Sequence, residues 1–147
     1  MFRYEGLPSH RNTTRSKSHV VLGKTDLYRA SVQIVRGGGA NNLHSHTGND
    51  GFWFVLSGRA RFYGEGDELY AELGPNEGIV MPRNTPYWFE PAGDAELEIL
   101  HLACFAQAEE DRRIDHAARN RAASDDVVEI STLVAEAGDS GTPGDPG

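Results

Sequence analysis

At 147 residues the chain is long enough for one domain with a single hydrophobic core. Its 38% hydrophobic and 24% charged residues are not those of a disordered polymer, and a net charge of −8 argues against nucleic acid or an anionic membrane as main partner. The single cysteine, Cys104, excludes an internal disulfide, and no apolar run approaches the roughly 18 residues of a membrane span.

Residues 1–25 read as a polar N-terminal arm. Its basic cluster RNTTRSK (Arg11 to Lys17) is short and reads as solvated, and HVVLGKTD at its end is able to supply one short strand. No apolar stretch follows a basic start, so no secretory signal is expected and a cytoplasmic location is. From residue 26 to 106 the pattern becomes that of a β-barrel. LYRASVQIV alternates and is rich in β-branched residues, GGGANN interrupts it, and LHSH resumes it. FWFVL, RARFY, LYAEL, IVMP, YWFEP and ELEILHLACF follow as short strands, divided by turns at SG, GEGDE, GPNEG, RNTP and AGD. Short strands at this spacing predict an all-β sandwich or barrel.

Within these strands, Glu96 and Glu98 alternate with Leu97 and Ile99, as one wet and one buried face require. Cys104, in LHLACF, reads as a small core residue. FWFVL is apolar on both faces and needs cover outside the barrel, which predicts a homodimer unless the N-terminal arm supplies it. Residues 107–136 form a C-terminal extension: AQAEEDRRIDHAARNRAASDD is helix-permissive and charged, and VVEISTLVAEAG suits a strand or short helix. GDSGTPGDPG, within the tail 137–147, is expected to be disordered. No internal repeat is present.

Chemistry concentrates in HSHTGNDGFWFVLSG, residues 44–58. Residues two apart on a strand share a face, so His44 and His46 project together and are candidate ligands of one divalent ion. The plainer reading is a pair of hydrogen-bonded or solvated imidazoles at a barrel mouth. If Gly51 faces inward, so does Trp53, and Tyr87 shares a face with Phe89. His101 has the parity of Leu97 and Ile99 and is expected inside, as a core residue or a site residue.

The stretch from Gly39 to about Phe89 resembles the cupin superfamily, small jelly-roll barrels, in their single-domain form. His44, Ser45, His46 and Gly58 match the first cupin motif, and Pro82 and Pro86 in EGIVMPRNTPYWF match the spacing of the second. The resemblance implies one cupin barrel flanked by the polar arm and a helical or disordered extension. In ligand chemistry the match is partial. The glutamate of the first motif falls on Gly51, with Asp50 beside it, while Asn84 and Tyr87 stand where the second motif has glycine and histidine.

Three functions follow as expectations. The first is a metal-dependent small-molecule enzyme, of oxygenase, isomerase or decarboxylase type. It would hold Fe, Mn, Ni or Zn on His44 and His46, with Asp50 or His101 completing the site. The second is metal-free acid–base isomerisation or epimerisation by a histidine, such as His101, and Tyr87. The third is a binding or sensory barrel without chemistry of its own. In each, Trp53, Asn84 and Phe89 are candidate contacts to a small-molecule ligand.

Overall fold

A computed structural model of the protein describes residues 1–6, 15–108, 110–120 and 125–130. The tail 137–147 and Arg11 to Thr14 of the basic cluster lie outside the described residues. Eleven strands are described: β1 (Lys17–Lys24), β2 (Tyr28–Val35), β3 (His44–His46), β4 (Asn49–Ser57), β5 (Ala60–Tyr63), β6 (Leu69–Leu73), β7 (Gly78–Met81), β8 (Trp88–Pro91), β9 (Leu97–Phe105), β10 (Arg113–Asp115) and β11 (Asp125–Glu129). The one helical element among the described residues is a single 3-10 turn at Glu65–Asp67, inside the GEGDE turn.

Two sheets face each other. The larger has the order β11-β1-β2-β9-β4-β7, and the smaller has the order β6-β5-β8. β3 pairs with β10 and is joined to the start of β8 by a bridge between His44 and Tyr87, whose backbones exchange hydrogen bonds of 3.0 and 2.9 Å. This bridge sets the His44 strand opposite the large sheet and brings Tyr87 to the histidines.

Alternation decides what the interior receives. Between the sheets lies the main core, which includes Trp53, Val55, Phe62, Met81, Tyr87, Phe89, Leu97 and Ile99. Three aromatic rings tie it together, with centroids 5.6 Å apart for Trp53 and Phe62, 4.9 Å for Trp53 and Phe89, and 5.0 Å for Phe62 and Phe89. The other face of β1 and β2 buries Val20, Val32 and Ile34 under Tyr4, Leu22, Leu100 and Ile130. Tyr4 of the arm therefore packs on the outside of β1 and β2, while Phe52 and Leu56 on β4 and Val80 on the edge strand β7 stay exposed. Gly58 closes the β4–β5 turn at φ +80°, where a Cβ would stand 2.5 Å from the Glu96 carbonyl oxygen, so no larger residue fits.

Two local expectations are corrected. Cys104 is exposed, because β9 turns Ala103 inward and the next side chain outward. The helix-permissive run after Phe105 holds no helix among its described residues and contributes strands instead: β10 runs antiparallel to β3, and β11 runs parallel to β1. Partners outweigh propensity here. Thr47 and Arg112, Leu43 and His116, and Ser45 and the His116 ring are hydrogen-bonded across the β3–β10 pair, and Asp111 accepts from Gly48 N–H and Asn49 Nδ2. Among the described residues no helix is long and apolar enough to cross a membrane.

Candidate functional site

The larger sheet presents its inner face in rows fixed by strand register. One row runs Val21, Ser31, His101, Trp53, Ile79, and the next runs Arg29, Ala103, Gly51, Met81. A third runs His19, Gln33, Ile99, Val55. Apart from Val21, polar residues fill the β1–β2 end of these rows and apolar residues the β4–β7 end. At the polar end the larger sheet and the β3–β10 pair, with Asn41, Tyr87 and Asn120 from the connecting segments, line an open cavity of about 340 Å³.

Three permanent cations reach this cavity: Lys17 from β1, Arg29 from β2 and Arg113 from β10. Four imidazoles join them, His19, His44, His46 and His101, with Ser31, Gln33, Asn41 and Asn120 as neutral polar groups. Trp53 and Tyr87 supply aromatic wall. Among the described lining residues there is no carboxylate, although the chain carries 22 acidic residues against 14 basic ones. The described lining thus carries cationic side chains and no carboxylate in a protein of opposite net charge, although Arg113 is itself paired with Asp115 at 3.0 Å.

Each imidazole is held differently. His44 Nδ1 lies 2.7 Å from the Asn42 carbonyl, and since a carbonyl only accepts, Nδ1 carries the hydrogen and Nε2 is left as an acceptor. Burial lowers the His44 pKa from 6.5 to about 4, against the Asn42 bond and with the help of the Arg113 charge. The His46 ring stands 5.1 Å from that of His44, at 89° to it. Its buried Nδ1 has no hydrogen-bond partner, and the nearest carboxylate, Asp111, is 3.9 Å away. Burial lowers the His46 pKa as well, opposed by Asp111.

His101 stacks face to face on Trp53, with centroids 3.8 Å apart and planes at 9°. Burial, followed by the positive fields of His46, His19 and Arg29, lowers its pKa to about 3. His101 Nε2 and Trp53 Nε1 are both buried without hydrogen-bond partners. Tyr87 packs on His44 with centroids 4.6 Å apart. Burial raises the pKa of its phenol, a shift opposed by the nearby Trp53 indole and by Arg113, so at neutral pH the hydroxyl keeps its proton. The indole approaches that oxygen without reaching hydrogen-bond geometry.

Of the residues singled out in the sequence, His44, His46, Trp53, Tyr87 and His101 line one cavity. Three others stand elsewhere. Asp50 is exposed on the outer face of β4, where Oδ1 accepts the Arg83 N–H at 2.9 Å, because Gly51 takes the inward position and alternation sends its neighbour out. Asn84 sits exposed in a turn at φ +65° and donates its N–H to the His46 carbonyl. The left-handed backbone explains why the resembling motif has glycine there. Phe89 is fully buried in the main core, beneath the Lys17 ammonium at 5.4 Å.

The donor set does not fit a metal centre of three or four protein ligands. Among the described residues no three His, Cys, Asp or Glu side chains gather to hold an ion. Asp50 faces away, and His101 does not gather with His44 and His46 into such a group.

Lys17, His19, Arg29, Arg113 and Asn120 were not legible as site residues. For β2 the available signal was an unusual one: YRASVQIV puts Arg29, Ser31 and Gln33 on one face and Ala30, Val32 and Ile34 on the other, and the polar face is the inner one. Arg113 reaches the cavity through the β3–β10 pairing, opposite His46, and is steadied by Asp115 and Asn42.

A family model described as "Cupin domain" matches residues 31–103. No match was found among curated proteins. Among solved structures, the chain is similar to an RmlC-like cupin protein from Desulfovibrio desulfuricans, at 20% identity and a TM-score of 0.57, covering 71% of this chain and 96% of that one. It is also similar to a conserved protein with a double-stranded β-helix domain from Klebsiella pneumoniae, at 14% identity and a TM-score of 0.61, covering 74% and 90%. A variant of salicylate 1,2-dioxygenase from Pseudoaminobacter salicylatoxidans matches at 11% identity and a TM-score of 0.58, covering 70% of this chain and 32% of that one. At these identities the likeness is one of fold.

Proposed function

The chain belongs to the cupin superfamily, its cupin domain spanning residues 31–103, and on that premise we propose that its barrel binds a small organic anion in the interior cavity. One observation carries the reading: a cavity of about 340 Å³ lined by Lys17, Arg29 and Arg113, four imidazoles and two aromatic side chains, with no carboxylate among its described lining residues. That volume lies at the lower end of the roughly 300–1,000 Å³ of small-molecule sites, so the ligand is small. Two imidazoles hold a divalent ion weakly, and the reading gives a protein-held metal no part.

The test is a thermal-shift panel of small organic anions, their neutral amides and matched amines. Anions are expected to raise the melting temperature, and Arg29→Gln and Arg113→Gln are expected each to reduce that shift. Stabilisation confined to amines or neutral compounds would overturn the reading. Stoichiometric Fe, Mn, Ni or Zn in untagged protein, lost from a His44→Ala/His46→Ala variant, would return it to a metal-dependent enzyme. A ligand recovered chemically unchanged marks a binding barrel. One recovered altered points to acid–base chemistry, which the contact between His44, with its accepting Nε2, and the protonated Tyr87 favours.

The proposal extends to assembly as a homodimer. Phe52 and Leu56 project from β4 beside Val80, 63% exposed on the edge strand β7, and Phe52 and Phe54 stack side by side on the same surface. A self-complementary apolar strip at a sheet edge suits a two-fold contact. Light scattering is expected to give twice the chain mass, and a Phe52→Glu/Val80→Lys variant the single mass with an unchanged circular dichroism spectrum. A monomeric wild-type protein would dismiss the dimer.

A further inference from the structure

Residues 110–120 lie across β3 and the β3–β4 turn as a strap that contains β10 and brings Arg113 and Asn120 into the cavity lining. Residues 110 to 119 are all exposed, and Ile114, the strap's one large apolar side chain, is 45% exposed. No strap residue belongs to either apolar cluster of the described core. Its attachments are polar. The Thr47 hydroxyl donates to the Glu110 carbonyl and accepts from the Arg112 N–H, both at 2.8 Å. Asp111 accepts from the Gly48 N–H and from Asn49 Nδ2, each at 3.0 Å. Asn42 Nδ2 donates to Asp115 at 2.9 Å, and Asn120 Nδ2 donates to the Ala40 carbonyl at 2.8 Å.

Hydrogen bonds at the surface exchange readily for bonds to water, and a segment that buries no large apolar side chain has little else to hold it down. The strands on either side are better anchored: β9 pairs with β2 and β4, and β11 pairs with β1. The strap is therefore free to lift between two fixed ends. The barrel is shaped for its return at one point. A Cβ added at Gly48 would stand 2.7 Å from both Cα and N of Asp111 and 2.9 Å from the Glu110 carbonyl carbon. All three atoms are strap backbone, which has no flexible end to give way. Gly48 is not among the glycines of positive φ, so the close approach of the strap, and not the local backbone, is what requires glycine there.

We propose that residues 110–120 are the gate of the cavity: the strap detaches from the folded barrel as a unit, takes Arg113 and Asn120 out of the lining, and closes again on Gly48. With the strap down the cavity is open to solvent, yet His44 is only 2% exposed and Tyr87 only 4%. Lifting β10 uncovers β3 and with it that inner end. The gate goes beyond the interior-anion reading and holds whatever molecule the cavity takes.

Hydrogen exchange in the nitrogen-15-labelled full chain reads the detachment. The amides of Arg112 and His116 bond to Thr47 Oγ1 and the Leu43 carbonyl, and that of Thr47 bonds to the Arg112 carbonyl. These three are expected to share one protection, at least about a hundredfold weaker than that of β4 and β9 and insensitive to low urea. Gly48→Ala is expected to speed their exchange about tenfold further and to leave β4 and β9 unchanged. Access is read with diethyl pyrocarbonate, which acylates neutral imidazole, and peptide mass spectrometry locates the product. His44 is expected to react about tenfold faster in Gly48→Ala than in the parent.

A tether gives the opposite perturbation. Ser45 and Ile114 stand directly opposite each other on β3 and β10, a spacing that accepts a disulfide. Ser45→Cys/Ile114→Cys in a Cys104→Ser background, once oxidised, is expected to slow strap exchange and His44 acylation about tenfold or more, and reduction to restore both. Strap amides as protected as β4 and β9, or three unrelated protections, would overturn detachment as a unit. Faster strap exchange in Gly48→Ala with His44 reacting at the parent rate would overturn the gate. Should Gly48→Ala unfold the barrel, the tether decides alone: His44 acylated as fast in the oxidised form as in the reduced one overturns the proposal.

Discussion

Replacing Trp53 by alanine is expected to remove about 3–5 kcal/mol of stability, the range for emptying a large aromatic from a packed core. Trp53 is 2% exposed and touches Phe62, Phe89 and His101 at once, so no neighbour is free to fill its volume. Against a typical total of roughly 5–15 kcal/mol, such a loss consumes much of the margin. Trp88 is the internal control. It is half-buried, stacks on Tyr63 at 4.3 Å and donates its indole N–H to Asp67 at 3.1 Å, near the surface. Trp88→Ala should therefore cost about 1 kcal/mol. Urea denaturation of both variants checks the contrast, and equal costs would mean that Trp53 does not anchor the core.

Lowering the pH from 7.5 to 5 is expected to destabilise the protein by about 2 kcal/mol for each of His44 and His101. The sign follows from the direction of their shifts. Burial holds His44 near pKa 4 and His101 near 3, below the ordinary 6.5, so the folded state keeps both neutral where the unfolded chain takes up protons. Their stabilising effect is full above pH 6.5 and drains away as pH falls toward the folded values. Most of that window precedes the titration of ordinary carboxylates. Asp115, whose pKa is pushed further down by its bonds to Asn42, Arg113 and Arg119, contributes only at still lower pH. Chemical denaturation at half-unit pH steps measures the slope, and a His44→Gln/His101→Gln variant should flatten it between pH 6.5 and 5. An unchanged slope in that variant would show that these imidazoles are not the groups responsible.

Both effects arise from side chains whose inward orientation followed from sequence alternation alone. Leu97, Ile99 and His101 share parity, as do Gly51 and Trp53, and the barrel honours both sets. The turns at Ser57-Gly58 and in GEGDE and the succession of short strands between turns were equally legible, because each depends on local backbone preference. What resisted reading depends on partners distant in the chain. Whether the polar or the apolar face of β2 lines the interior is decided by the apolar cluster on its outer face, where Tyr4, Leu22, Leu100 and Ile130 pack against Val32 and Ile34. The extended conformation of 113–115 is decided by β3, about 69 residues earlier, and not by its own helix-permissive composition. Asp50 illustrates the limit of spacing as an argument: one position beside the motif's carboxylate is, on a strand, the opposite side of the sheet.

The family-matched stretch, residues 31–103, carries the histidine pair, the aromatic walls and most of the core. All three permanent cations of the cavity lie outside it: Lys17 on the preceding strand β1, Arg29 at the start of β2, two residues before the matched stretch begins, and Arg113 on the later strand β10. On the proposed reading, the charges that select a ligand thus fall outside the matched stretch, Arg29 at its very edge and Lys17 and Arg113 on flanking strands. A fragment trimmed to the shared domain would keep the vessel and lose its counter-charge. Relatives with the same barrel and different flanking strands would be free to change what they hold without rebuilding the vessel.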